Sequence, residues 1–213
     1  MTPRKFSIIA GIGYLIIFFA AIFANFFVLE AILKDPLNTI QQDHLMVRLG
    51  IIAFLITVVF DVVVAWALFK LYKTHSLSLL STLFRMMHAA IMGVAIYTLP
   101  IALKLNTSEH ILMQIEQFNS IWLIGLFFFG IHLMLLGRIM GRPKVIKALL
   151  ILAGIMYIVD TGAQFLLPSY ESYSTIFLAL VAIQSIFGEM SFAIWLLLKG
   201  GRYTSVESDH KFN

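Results

Sequence analysis

The chain contains no cysteine, and of its 213 residues only five are proline and 12% are charged. Without thiols it cannot form disulfides, thiolate zinc sites, iron–sulfur clusters or thioether-linked haem. A soluble globular domain carries about 25% charged residues, roughly twice the share found here. The scarcity of charge therefore excludes a soluble enzyme, a nucleic-acid-binding domain and a secreted disulfide scaffold.

Apolar residues dominate the composition: 61% of the chain is hydrophobic and its mean hydropathy is +0.95. A helix needs about 20 apolar residues to cross a bilayer. Six segments meet this length, and we call them spans 1 to 6: residues 6–29, 47–69, 77–103, 118–137, 145–167 and 175–198. The sequence predicts an all-α polytopic membrane protein, a compact six-helix bundle in one domain over residues 1–202. We expect residues 30–46 to form an external cap and the polar tail 203–213 to be disordered in the cytoplasm.

The basic residues predict the orientation in the membrane. They cluster before span 1, after spans 2 and 6, and between spans 4 and 5, whereas the opposite loops are mainly acidic. Because Lys and Arg concentrate on the cytoplasmic side, we expect both termini there, in a bacterial inner membrane. The net charge of +4 thus reflects topology, with the lipid bilayer as partner and no nucleic acid. The clustered residues are Arg4, Lys5, Lys70, Lys73, Arg138, Arg142, Lys144, Lys147, Lys199, Arg202 and Lys211.

Span 1 has one further interpretation. Arg4 and Lys5 followed by an apolar run are also typical of a signal peptide. The run continues to Leu29, which is too long for a typical signal core, so we expect it to remain as a membrane span.

Several ionisable side chains lie inside the predicted spans. A charge near the bilayer centre costs at least about 2.5–3.5 kcal/mol, so such residues are candidates for function. The six candidates for ligand binding are Asp61, Arg85, His88, His132, Asp160 and Glu189.

Helical phase and depth sort these candidates. Arg85 and His88 share one stripe of span 3, and a polar stripe is expected to face the bundle interior. At about 1.5 Å of rise per residue, Asp61, His88 and Glu189 lie at one level, slightly toward the cytoplasm. Arg85 and His132 lie somewhat deeper on the same side. Asp160 falls in the outer half and is a second-tier candidate, with Asn25 of span 1 as a possible partner.

Short sequence phrases add a resemblance that covers nearly the whole chain. The chain resembles a bacterial six-span membrane protein family known only as a domain of unknown function (number four-three-eight-six). The resemblance implies a compact six-helix bundle in a bacterial membrane and brings no activity with it. The matching phrases are Gly11–Leu15, Arg48–Ile51, Phe60–Val62, Phe84–Arg85 with His88–Ala90, Gly130–Leu133, Tyr157–Asp160, and the ending from Gly188–Glu189 to Trp195–Gly200.

The candidate set supports several functions, and the identity of any cofactor stays open. In the first, the protein binds or transports a small or lipid-like ligand: Arg85 holds an anionic group, and Asp61 and Glu189 balance charge or carry protons. In the second, His88 and His132 with Asp61 or Glu189 bind a metal ion in an intramembrane enzyme.

Two other interpretations involve the same histidines. In a haem or quinone protein, His88 and His132 would serve as axial ligands and Arg85 would pair with a propionate. In a purely structural interpretation, Arg85 pairs with Asp61 or Glu189 to hold the helices in register, and the histidines form interhelical hydrogen bonds.

Overall fold

The protein consists of long helices with short connections. The structure, a computed structural model, describes residues 1–141 and 143–201, and within them no β-strand occurs. Six helices are long and apolar enough to cross a membrane, which confirms the predicted six-span all-α class. Arg142, Arg202 and the predicted tail 203–213 lie outside the described residues. The spans extend over Pro3–Lys34, His44–Leu71, Ser78–Ala102, Ser108–Ile139, Lys144–Leu166 and Ser174–Leu198.

The spans form a closed bundle. Each span packs against its neighbours in sequence, and span 6 also packs against span 1. The chain returns to the side where it began, since a Cβ atom on Gly201 would lie 2.6 Å from the carbonyl oxygen of Pro3. Gly201 has a φ angle of 73°, the left-handed conformation that glycine adopts without steric cost. We call this end of the bundle the terminal side and the other end the distal side.

Two apolar clusters fill the bundle. The terminal-side cluster draws on every span except span 3 and includes Leu68, Leu136 and Leu196. The distal cluster contains Phe54 and Ile111, and its buried residues come from spans 1 to 4 and the loop after span 1. None of the described residues in this cluster lies on span 5 or span 6. Along span 2, Asp61 lies between Phe54 of the distal cluster and Val64 of the terminal-side cluster.

Span 1 contains a segment that the sequence did not predict. Its α-helix gives way to a π-helix over Phe23–Leu29 before it resumes over Glu30–Lys34. Inside the π-helix, the Asn25 amide donates to the Ala21 carbonyl at 2.9 Å. Val28 lies so close to span 2 that a Cβ atom on Gly50 would meet it at 2.7 Å. The wider turn and the missing side chain of Gly50 together bring the two helices into contact.

Span 4 begins at Ser108 rather than at residue 118. With 32 residues it is about 48 Å long, so it projects well beyond a hydrocarbon core of about 30 Å. Ile111, Ile115 and Phe118 follow helical spacing and are buried in the distal cluster. The charged and amide residues between them lowered the apparent hydropathy, which is why the sequence interpretation placed the start too late.

The expected cap after span 1 is a short helix over Pro36–Gln42. Its residue Ile40 is buried in the distal cluster, and the Thr39 hydroxyl donates to the Ala31 carbonyl at 3.0 Å. The cap therefore packs on spans 1, 2 and 4 at the distal end.

Candidate functional site

The centre of the site is a buried ion pair between spans 2 and 3. The Arg85 Nη2 atom lies 2.6 Å from Asp61 Oδ1, and the two side chains are 1% and 4% exposed. Both residues lie on long uninterrupted helical stretches at the level between the two apolar clusters. The apolar surroundings weaken dielectric screening, so the two opposite charges hold each other strongly.

The second terminal nitrogen of Arg85 joins spans 1 and 4 to this pair. Nη1 donates to the Tyr14 hydroxyl at 2.7 Å and lies 3.3 Å from His132 Nε2. The guanidinium carbon also lies 4.7 Å from the centre of the Tyr14 ring and 5.2 Å from that of Phe129. A cation at this distance over an aromatic ring is attracted to it. Arg85 therefore binds four spans together.

The His132 ring is held in one tautomer by its neighbours. A guanidinium can only donate hydrogen bonds, so His132 Nε2 is the acceptor from Arg85. Nδ1 then carries the proton, and it lies 2.9 Å from the Ser81 carbonyl oxygen. The Ser81 hydroxyl lies at the same distance from Nδ1. Both ring nitrogens of His132 are therefore hydrogen-bonded to span 3. Nε2 contacts Arg85 and Nδ1 contacts Ser81, so the ring connects spans 3 and 4 and holds the guanidinium in place.

His88 approaches the same carboxylate from the distal direction. Its Nε2 lies 3.5 Å from Asp61 Oδ2, and its ring packs on Phe129 with a centroid distance of 4.7 Å. A carboxylate only accepts, so Nε2 carries the hydrogen that faces Asp61. The other ring nitrogen, Nδ1, is buried without a hydrogen-bond partner among the described residues, and the same holds for Arg85 Nε.

Glu189 forms the edge of the site on span 6. The Tyr157 hydroxyl of span 5 donates to Glu189 Oε1 at 3.3 Å, and the Tyr157 ring packs edge-on against Phe129 at 5.7 Å. Glu189 itself is only partly buried. In the described part of the chain, no basic nitrogen lies within 4.0 Å of its carboxylate.

Asp160 lies away from this network. It accepts a hydrogen bond of 2.8 Å from Tyr170, in the loop between spans 5 and 6. The expected pairing with Asn25 is wrong, because the Asn25 amide bonds to its own helix. Asp160 therefore holds the distal loop rather than contributing to the central set.

The four residues predicted as metal ligands do not form a cation site. No group of three or more His, Asp or Glu side chains with ligand geometry occurs in the described ranges 1–141 and 143–201. The cause is Arg85, which lies between Asp61 and His132 and takes the lone pairs that a metal would need. The residues present do not fit a metal in this arrangement.

The histidine pair does not fit haem either. The Phe129 ring contacts both imidazoles, with centroid distances of 4.7 Å to His88 and 5.7 Å to His132. An iron bound by both histidines would need the volume that this ring and the Arg85 guanidinium occupy.

Sequence reasoning missed three aromatic members of the site. Tyr14 lies in the Gly11–Leu15 phrase of span 1, but its hydroxyl was not assigned to Arg85. Phe129 precedes His132 by about one helical turn, and Tyr157 precedes Asp160 by the same interval, so helical phase was a usable signal for both. Tyrosine and phenylalanine are too common in membrane spans to stand out without contacts.

Comparison with known proteins gives one family and one relative. A family described as Domain of unknown function (DUF4386) matches residues 9–200, a range that includes all six candidate residues. An uncharacterized protein of Archaeoglobus fulgidus is 32% identical over 165 residues, which cover 75% of this chain and 88% of the relative. No solved structure matches the chain.

Proposed function

Because this chain belongs to the DUF4386 family, whose description carries no activity, we propose a function from the geometry of its site. We infer that it is a membrane protein that binds or transports a small or lipid-like ligand at the network around Arg85. The observation that carries the proposal is the pair of unpartnered polar atoms in that network, Arg85 Nε and His88 Nδ1.

An ion pair that served only to hold helices together would not leave such atoms unpaired. Each buried polar group without a partner costs about 1–3 kcal/mol. Both atoms lie on span 3, less than one helical turn apart in sequence, and the two terminal nitrogens of Arg85 beside them both have partners. A ligand group that forms hydrogen bonds with these two atoms would remove this free-energy penalty. The penalty in the free protein thus becomes a contribution to the affinity for the ligand.

The surroundings of His88 provide a way to expose it. Its Nδ1 faces Gly125 of span 4, where a Cβ atom would lie only 3.3 Å away. The lack of a side chain on Gly125 lets spans 3 and 4 close over the imidazole. A small separation of these two spans would uncover Nδ1 without breaking the Arg85–Asp61 pair.

Ligand binding can be tested on purified protein in detergent. We expect native mass spectrometry or thermal shifts against a panel of lipids and small metabolites to reveal a ligand. His88→Phe keeps the ring packing on Phe129 but lacks Nδ1, so it should bind at least about tenfold more weakly, a change of 1.4 kcal/mol. The matched control is His110→Phe, at an exposed residue of span 4. A folded wild-type protein that binds nothing in the panel and supports no flux in proteoliposomes would overturn the proposal.

We also infer that the terminal side faces the cytoplasm of a bacterial cell, because the basic residues lie on that side. The natural absence of cysteine makes a direct test simple. Lys73→Cys should be labelled by an impermeant maleimide only after the membrane is opened, and His110→Cys should be labelled in intact cells. The reverse pattern would contradict this orientation.

A further inference from the structure

Arg85 Nε and His88 Nδ1, the two buried atoms of the network that have no partner among the described residues, make opposite demands on a ligand. The Nε atom of a guanidinium carries a hydrogen and can only donate. His88 Nε2 carries the hydrogen that faces Asp61 Oδ2 at 3.5 Å, so Nδ1 of the neutral ring has a free lone pair and can only accept. A ligand that satisfies both atoms must accept one hydrogen bond and donate another.

The two atoms belong to one place in the bundle. Arg85 and His88 are three positions apart on span 3, and side chains at this spacing are neighbours on one helix face. Both contact the same ring of span 4, since Phe129 lies 5.2 Å from the Arg85 guanidinium carbon and 4.7 Å from the centre of the His88 ring. Both also contact the carboxylate of Asp61. One ligand can therefore present its polar group to both atoms.

The charges beside these atoms exclude an ionic polar group. The Arg85–Asp61 pair already joins one positive and one negative charge at 2.6 Å. An anion would accept from Nε, but it would leave Nδ1 without a partner and would lie beside the Asp61 carboxylate. An ammonium group would donate to Nδ1, but it would leave Nε without a partner and would lie beside the Arg85 cation. Because like charges repel strongly where dielectric screening is weak, the polar group of the ligand is neutral.

The space beside His88 Nδ1 suits a group with a single heavy atom. A Cβ atom built on Gly125 would lie 3.3 Å from Nδ1, 3.4 Å from Ile91 Cγ2 and 3.6 Å from Met92 Cγ. One heavy atom at this position is near hydrogen-bond distance from the nitrogen and in van der Waals contact with two apolar side chains. A hydroxyl has one heavy atom and both donates and accepts, whereas a primary amide needs three heavy atoms to do the same. The apolar neighbours suit a ligand whose remaining atoms are hydrocarbon.

We propose that the ligand is a neutral alcohol with a hydrocarbon body, whose hydroxyl donates to His88 Nδ1 and accepts from Arg85 Nε. The proposal rests on the ligand-binding function above and names the class of the ligand. The hydroxyl oxygen lies beside Gly125, where the missing side chain leaves room for one heavy atom between spans 3 and 4. The ion pair stays intact, because Asp61 holds Arg85 Nη2 rather than Nε.

The test measures binding of five compounds with similar alkyl chains to the protein in lipid nanodiscs, with protein-free nanodiscs as the blank. The compounds are decanol, decyl methyl ether, decanamide, decylammonium and decanoate, and we expect decanol to bind most tightly. The ether accepts but cannot donate, so it should bind at least about tenfold more weakly, because it leaves a buried acceptor unpaired. His88→Phe lacks Nδ1 and should remove this difference. His110→Phe, at an exposed residue of span 4, should keep it.

A second variant supplies the hydroxyl from the protein itself and keeps the test decisive if His88→Phe fails to fold. The serine oxygen of Gly125→Ser would take the position beside Nδ1 that the alcohol occupies. We expect this variant to lose the preference for decanol over the ether, although the imidazole is retained. An unchanged preference in both His88→Phe and Gly125→Ser would place the hydroxyl elsewhere and overturn the proposal.

The remaining outcomes separate the class of the ligand from the function. Water also donates and accepts, and equal binding of decanol and its ether by the wild type would mean that water alone meets both atoms, which would overturn the proposal. If decanamide, decylammonium or decanoate binds most tightly and His88→Phe weakens its binding, the alcohol assignment is wrong and the ligand-binding function stands. If none of these compounds and no member of the wider panel binds, the function itself fails.

Discussion

Arg85 and Asp61, 24 positions apart in the chain, meet at 2.6 Å with almost no exposure to the outside. The pair spans two helices at the level where the terminal-side and distal apolar clusters end. Each charge in this position depends on the other, because neither has water to replace a lost partner. The stability of the bundle should therefore respond sharply to any change in one of them.

Asp61→Asn should destabilise the protein by about 3–5 kcal/mol, since it leaves the guanidinium buried without a counter-charge. The double variant Asp61→Asn/Arg85→Gln should lose less than the sum of the two single losses, because no uncompensated charge remains. Unfolding by SDS titration in mixed micelles measures all three variants. Strictly additive losses would contradict a direct pair.

Spans 4 and 5 cross at two glycines, and an alanine there should force them apart. A Cβ atom on Gly154 would lie 2.4 Å from the Gly130 carbonyl oxygen, with the reverse distance at 2.6 Å. Gly154→Ala should cost about 1–3 kcal/mol through displaced backbone. The control is Gly93→Ala in span 3, where a Cβ atom meets nothing within 4 Å. Thermal unfolding that ranks the two variants equally would argue against this crossing.

Arg4 closes the bundle by bonding the carbonyl groups at the end of span 6. It donates to Leu196, Leu197 and Gly200, and a cation at a helix C-terminus is also favoured by the helix dipole. Arg4→Ala should cost about 1.5–3 kcal/mol, because the bonds are charge-assisted. Lys5→Ala changes an exposed neighbour of equal charge and should have little effect on the melting temperature. An equal loss in both variants would show that charge alone, rather than these bonds, matters.

A hydroxyl placed on Gly125 should satisfy the unpartnered nitrogen of His88. The Cβ atom would lie 3.3 Å from Nδ1, so the serine oxygen of Gly125→Ser can reach hydrogen-bond distance. We expect Gly125→Ser to be more stable than Gly125→Ala by about 1 kcal/mol, the usual value of one such bond. It should also bind the ligand more weakly, since the serine takes the ligand's place. A serine variant less stable than the alanine variant would refute this assignment of Nδ1.

The membership of the site was largely readable from the sequence. Ionisable residues inside membrane spans are rare enough that Asp61, Arg85, His88 and His132 stand out, and helical phase turns them inward. Asp160 is also an ionisable residue inside a span, but its carboxylate bonds to Tyr170 in the distal loop. Composition and phase cannot separate a residue of the central site from one that holds a loop, because both face away from lipid.

The features that the sequence did not reveal depend on contacts between helices. The π-helix over Phe23–Leu29 lies in an apolar run that reads like any other α-helical stretch. The early start of span 4 follows from packing against the cap, which compensates for its polar residues. Helix propensity is a property of a single isolated segment. The π-helix and the early start of span 4 both depend on contacts with neighbouring helices.

The number and type of the spans, and the ionisable residues of the central network, were determined by the sequence, because the length of an apolar run and the cost of a buried charge are local properties. The tertiary structure decided the pairing. Arg85 had two candidate partners, Asp61 and Glu189, at nearly the same depth. Span 2 packs directly against span 3, whereas span 6 packs against spans 1 and 5, so Asp61 takes the guanidinium and Glu189 stays without a cation among the described residues. Which carboxylate is compensated depends on the order of helices around the bundle, and that order is set by packing rather than by any single span.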